Sequence, residues 1–302
     1  MTALRAGAAS LVAAVPTTPL ALLLVVGTLL GVFTALAKAA TESGWHPLAF
    51  LFFSLLGSGA VLAALAMRSG HRPRLDRRTI LYFLGSGLLS GMAPNALSFA
   101  AIGHVGAGFV ALGFAFPPLL SYVMALTLRM ERFRRQRAAG LGLALAGVVV
   151  LVAARVSVGD ASPAWIATAL AAPLVVAAGN IFRSLFWPAG ATPLSLAPGM
   201  LCAATLLLAP VLAIAGVPLL PPPEATAYVL LFAQIAVFAA TFSLIFVLQA
   251  LAGPVYLSQI GSVGAAAGGA IAVLVLGEPA TPGIAVAAVA ILAGAWLVNR
   301  TH

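Results

Sequence analysis

Ten apolar runs divide this chain, at about 18–41, 46–67, 79–102, 105–128, 138–155, 164–186, 193–215, 225–250, 255–276 and 281–299, and each ends at a Gly, a Pro or a cluster of charge. An α-helix rises about 1.5 Å per residue, so roughly 20 apolar residues match the ~30 Å hydrocarbon core of a bilayer. Gly, Pro and charge are what is expected where a helix leaves the membrane, and the short alternating strands of a β-barrel are missing. The sequence is 63% hydrophobic and 7% charged, with a mean hydropathy of +1.14. That is too little polar surface to cover a water-soluble globule of 302 residues. The expected fold class is all-α integral membrane, with ten transmembrane helices.

The formal charge of +9 does not point to nucleic acid, because the arginines gather in two short loops, around 68–78 and 129–137, between apolar runs. Such clusters report topology. With the N-terminus in the cytoplasm, thirteen of the fifteen Lys and Arg residues fall inside, and only Lys38 and Arg155 fall outside. Both termini are therefore expected in the cytoplasm of a bacterial inner membrane. Arg5 and the run Ala6 to Val15 faintly resemble a signal peptide, but the full-length run that follows reads as a first span behind a short, uncleaved tail. Cys202 is the sole cysteine, which excludes a disulfide and a thiolate cluster. His46 and His104 fall near the outer face and His71 and His302 inside; no close spacing supports a metal site, and no cofactor is expected.

A pattern recurs at half the chain length. Glu131 is followed by Leu145-Ala146-Gly147, and Glu278 by Leu292-Ala293-Gly294, each residue displaced by 147. Only six acids exist, so two at equivalent points mark an internal duplication. Gly44-Trp45-His46-Pro47-Leu48 against Gly190-Ala191-Thr192-Pro193-Leu194, Tyr82 against Tyr228 and Gly106 against Gly253 keep nearly the same offset. The expected units are residues 1–157 and 158–302. Five spans per unit is an odd number, so the second copy inserts upside down, and inverted repeats of this kind are a transporter device.

Ten spans in about 300 residues, two halves of this kind and the ending Gly277-Glu278-Pro279 to Gly294 resemble the drug/metabolite transporter superfamily with its EamA-type repeats. Within it, the compact loops look most like bacterial amino-acid exporters of the YddG type. The resemblance covers essentially the whole chain. It implies alternating access and a central cavity lined by the first, third, fourth, sixth, eighth and ninth helices, with the fifth and tenth peripheral.

Helical spacing supplies candidate binding residues independently. In the first span Gly27, Gly31, Thr34 and Lys38 share a face, and in the third Gly87, Gly91, Pro94, Asn95 and Ser98 do, with Phe99 beside them. The sixth offers Trp165 and Asn180, the eighth Phe238, Thr241 and Gln249, and the ninth Ser258, Gly261 and Ser262. Small residues at such spacing usually serve close helix packing. Asn95, Asn180 and Gln249 differ, because an amide in hydrocarbon must find a partner or a wet cavity. Trp165 reads equally as an interfacial belt residue, and Phe99 and Phe238 as core. Lys38 and Arg183 lie near span ends on opposite faces; snorkelling is the first reading, and capture of a substrate carboxylate at the two mouths of the path is the sharper one. Pro94, Pro117 and Pro118 remove backbone donors inside the membrane and are read as hinges.

No Asp or Glu falls in the middle of any span, which argues against proton-coupled efflux of lipophilic cations. The expected function is export of small neutral or zwitterionic metabolites, most of all amino acids, by an uncoupled monomer in the lipid bilayer. An exchanger of anionic metabolites such as sugar phosphates is the alternative; it needs two or more basic groups facing the cavity. A membrane-embedded lipid enzyme would need a nucleophile with a base, or paired acids, and neither spacing occurs.

Overall fold

The computed structural model describes residues 18–71, 75–127, 133–158 and 162–299. Glu131, Asp160, His302 and six arginines, Arg5, Arg72, Arg74, Arg129, Arg132 and Arg300, lie outside the described residues. Among the described residues every regular element is helical. In chain order they are α1 (Pro19–Glu42), α2 (Pro47–Arg68), α3 (Arg77–Ser86), a π-helical segment (Gly87–Met92), α4 (Ala93–Val105), α5 (Ala107–Gly113), α6 (Pro117–Thr127), α7 (Arg135–Val158), α8 (Pro163–Leu185), α9 (Pro193–Ile214), α10 (Ala225–Ser258), α11 (Ile260–Leu274) and α12 (Pro282–Asn299). The third span is α3, the π segment and α4 in series, and the fourth is α5 followed by α6. Eight stretches are long and apolar enough to cross a bilayer, and two shorter apolar helices, at 260–274 and 282–294, complete the ten.

The ends of these helices follow from their sequence. Pro19, Pro47, Pro163 and Pro193 occupy first-turn positions, where the missing N–H costs nothing. Thr192 and Ser195 cap α9 reciprocally. At the other ends Gly44, Gly70 and Gly216 take positive φ, and the residue after each donates back to close the helix: Trp45 N to Ala40 O at 3.0 Å, His71 N to Ala66 O at 2.9 Å, and Val217 N to Leu212 O at 3.0 Å.

Two expected boundaries shift. The eighth span does not stop at 250 but continues through Gly253-Pro254 to Ser258, about 51 Å of helix, and the ninth begins only at Ile260. Pro117 and Pro118 do not bend a continuous helix. The fourth span is interrupted before them, with Phe114, Ala115 and Phe116 N–H groups bonding three residues back, and Pro117 opens α6 as its first residue.

Packing runs mostly between the two halves. α12 lies along α7, α9 along α2, α11 along α1 and α5, α10 along α1 and α2, and α8 along α4 and α6. Glycines let these backbones approach. A methyl on Gly31 would stand 2.5 Å from Gly268 N, and one on Gly91 2.6 Å from the Ala204 Cβ. Along the α7–α12 seam, Gly147 faces Ala287, Ala290 and Ile291, while Gly294 faces Gly140 and Ala144.

One end of the bundle is fastened by Trp45 Nε1, which donates to Ala227 O at 3.1 Å, by the Glu278 carboxylate, which accepts from Ala107 and Gly108 N, and by the His104 ring stacked on Trp165 at 4.1 Å. At the other end Tyr82 stacks on Phe182, and Thr79 meets the 188–196 turn. Arg68, Arg77, Arg78, Arg134, Arg135 and Arg137 sit on helix ends at this second, Arg-rich end. Midway between, Phe33 packs on Phe99, Phe114 and Phe238, with centroids 6.3, 5.6 and 5.3 Å away, and Phe50 stacks on Phe99.

Candidate functional site

Beneath this aromatic layer lies a cavity whose empty space, counted out into its open mouth, comes to about 720 Å³, of which about 90 Å³ admits the centre of a water-sized sphere. Its walls come from six spans. Leu30 and Phe33 belong to the first, Ser90, Pro94, Asn95 and Ser98 to the third, and Phe114 and Pro117 to the fourth. Val176, Asn180 and Arg183 come from the sixth, Phe242, Ile245 and Leu257 from the eighth, and Ile260 and Gly261 from the ninth. These are the six helices that the resemblance implied, and the α7–α12 pair stands outside them.

The local chain explains why polar groups point inward. Pro94 has no N–H to offer the Ser90 carbonyl four residues back, and the preceding turns are π-helical, a form that is frequent at functional sites. Asn95 fills the gap: its Nδ2 lies 2.7 Å from Gly91 O and 3.4 Å from Ser90 O. With its amide nitrogen spent on the backbone, Oδ1 has no donor among the described residues and remains an acceptor on the cavity wall. The Ser90 hydroxyl, on the same wall, has no partner either.

Arg183 is the charged group of the wall, at the Arg-rich end. It is 3% exposed. Its Nε donates to Gln249 Oε1 at 3.1 Å, its Nη2 donates to Asn180 Oδ1 at 2.8 Å, and its Cζ lies 5.6 Å from the centre of the Phe246 ring. Gln249 Nε2 in turn donates to Ser184 Oγ at 3.2 Å, and that hydroxyl donates to Asn180 O at 2.9 Å. Arg183 therefore does not snorkel; it is buried in the cavity and held by two amide oxygens.

Of the residues expected to bind, Asn95, Ser98 and Asn180 line the cavity, and Gln249 reaches it through Arg183; Pro94 and Pro117, read as hinges, line it too. Phe99 and Phe238 belong to the aromatic layer above it, 1% and 0% exposed. Thr34 is buried and bonds back to Gly31 O at 2.7 Å, while the hydroxyls of Thr241 and Ser262 are buried without partners. Pro118 is buried behind Pro117. Trp165 lies at the far end against His104. Lys38 is outside the cavity, paired to Glu42 one turn on at 3.1 Å. The side chain of Ser258 lies outside the described residues. Arg183, which the sequence left between snorkelling and carboxylate capture, is buried on the cavity wall. The signal lay in Asn180, one turn earlier on the same face, and in the apolar Phe186-Trp187 that continues the run beyond it. Among the described residues no three of His, Cys, Asp and Glu come together to hold a metal.

Residues 17–153 match the model of the EamA-like transporter family. A solved crystal structure shares the fold, with a TM-score of 0.62 and 21% identity over 91% of this chain and 97% of its own. No curated protein matches the chain. Residues 17–153, which supply the first, third and fourth spans of the cavity wall, are thus similar to an EamA-like transporter family domain.

Proposed function

We propose that the chain exports small neutral or zwitterionic metabolites, amino acids with apolar side chains above all, by alternating access. The make-up of the cavity carries this: aromatic and aliphatic walls, a few amides and hydroxyls, one cation and no acid among the lining residues. Phe33, Phe114, Phe242 and Ile245 suit an apolar side chain, and Asn95, Ser90 and Ser98 suit a polar head. Without a carboxylate to titrate in the path, the efflux is uncoupled and runs down the substrate gradient; a net-neutral substrate gains nothing from the membrane potential, which acts on charge. An exchanger of sugar phosphates would need a second cation, and among the described residues Arg183 is the one Lys or Arg on the wall while Lys38 is held by Glu42.

The moving bodies are the two inverted repeats, 1–157 and 158–302. The helix pairing supports them: advancing every span by five, and wrapping round, turns the pairs of the first with the ninth and with the eighth into those of the sixth with the fourth and with the third. With both termini in the cytoplasm of a bacterial inner membrane, the Arg-rich end faces inward. The buried, unpartnered Gln234, Thr241 and Ser262 then become wall when the opposite side opens. One chain supplies all six cavity helices, so a monomer suffices. Counterflow of labelled leucine, methionine and phenylalanine in proteoliposomes tests the function. Accumulation without a pH gradient is expected, and strict dependence on a proton gradient sinks the uncoupled mechanism.

A further inference from the structure

Arg183 carries an unmatched charge. It is 3% exposed at the inner wall of a membrane-spanning bundle, and among the described residues no carboxylate pairs with it. Burying a guanidinium is costly unless it is paired and hydrogen-bonded. Asn180 and Gln249 accept two of its five N–H bonds. Among the described residues the other three have no acceptor, and Arg183 lines the cavity. The amide oxygens that hold it are themselves fixed, since Gln249 is tied to Ser184 and Ser184 to Asn180 O. A planar fork, oriented by neutral acceptors and left without its counter-ion, fits an oxyanion bound through two parallel N–H···O bonds, and a single guanidinium balances the one charge of a carboxylate rather than the two of a phosphate monoester.

We infer that Arg183 is the carboxylate anchor of the transport site, so that a free carboxylate is an obligatory feature of the substrate. The inference rests on the transporter function proposed above and deepens it. An ammonium beside that carboxylate has acceptors on the same cavity wall, Asn95 Oδ1 and the unpartnered Ser90 hydroxyl, the latter set against Gly179 one turn from Arg183. The same arrangement rejects amines and amides of equal size and shape, because they leave the guanidinium unsatisfied.

The probes are leucine, 4-methylpentanoate, leucinamide and isopentylamine, with phenylalanine and phenylalaninamide as a second pair. Binding to the purified full chain is read by ligand-induced melting shifts, and flux by counterflow. The expected result is that carboxylates shift melting and amides and amines do not. Arg183→Gln should weaken leucine binding at least about thirty-fold, or about 2 kcal/mol at 1.4 kcal/mol per decade. Should Arg183→Gln fail to fold, Gln249→Glu supplies the test: an internal carboxylate would pair with Arg183, leaving the melting temperature of the apo protein unchanged or higher while abolishing leucine binding. A purely structural Arg183 would leave leucine binding intact in Gln249→Glu. Amides bound as tightly as acids, leucine bound by Arg183→Gln within about three-fold of wild type, or no response to any carboxylate overturns the anchor. If 4-methylpentanoate binds and neither amino acid does, the anchor stands and amino-acid export fails; if amino acids are exported but amides are exported equally, export stands and the anchor fails.

Discussion

Gly261 stands where the fourth and ninth spans touch beside the cavity, and a methyl group there would lie 1.8 Å from the Phe114 carbonyl oxygen and 2.9 Å from its carbon. An ordinary contact begins near 3.4 Å, so the two spans must separate by about 1.6 Å. The clash is against backbone, which cannot rotate away as a side-chain tip can. Overpacking costs roughly 1–3 kcal/mol, and this geometry belongs at the upper end. Alanine returns about 1 kcal/mol of helix propensity, which leaves a net loss of about 2 kcal/mol and a fall in melting temperature of about 3 °C. Gly269→Ala is the matched control, because nothing lies within 4 Å of its added methyl; it should be neutral or up to ~1 kcal/mol stabilising. The assay is thermal unfolding of both variants in one detergent by tryptophan fluorescence, with leucine counterflow alongside. Gly261→Ala should also slow flux, since Phe114 and Gly261 both line the cavity. If its melting falls within about 1 °C of the control, the close approach of these spans is wrong.

Gln234 is 0% exposed with neither amide atom bonded, so Gln234→Leu should relieve a desolvation cost of ~1–3 kcal/mol and raise the melting temperature while slowing flux; an unchanged or lower value would count against an unpartnered amide at this position. Lys38→Ala removes a pair with Glu42 on one helix face, worth roughly 0.3–0.5 kcal/mol, and transport should stay within about two-fold of wild type; abolished flux would restore Lys38 to the substrate path and revive the anion exchanger. Asp76 caps α3, accepting from the Thr79 side chain and from its N–H at 3.1 Å, which holds its carboxyl below the ordinary 3.8. A lowered pKa contributes stability above the unfolded value that is lost as pH falls through the folded one, so the melting deficit of Asp76→Ala at neutral pH should shrink on acidification below 3.8. A deficit independent of pH would assign it to something other than the ionised cap.

Span number and order were legible because apolar length is set by bilayer thickness, which a single sequence records directly. Gly253-Pro254 misled because the pair resembles the breaks elsewhere, yet α10 continues through it to Ser258. Asn95 and Asn180 could be named from their cost in hydrocarbon, which holds wherever they point. Arg183 could not, because a cation one turn from a span end can reach either the interface or the interior. Only the positions of Gln249 and Phe246, both on α10, decide between them. Trp165 shares a stripe with Arg183 but lies farther along its helix than the cavity extends, and the stripe of Lys38 packs on the ninth span through Gly27 and Gly31; periodicity gives the face of a helix and says nothing of depth.

The α7–α12 seam has a further consequence. Its contacts exchange under the displacement by 147: Gly147 touches Ala287 and Ile291, and Gly294 touches Gly140 and Ala144, which are the counterparts of those two. Reciprocity of this kind, in which one surface is its own complement, belongs to the interfaces of two-fold homodimers. A five-helix chain of half the length would already possess both sides of it, and two separate copies inserted in opposite senses could close the same seam. Fusing them adds a covalent connection and fixes the stoichiometry, after which residues such as Arg183, with no basic counterpart required in the other half, are free to diverge.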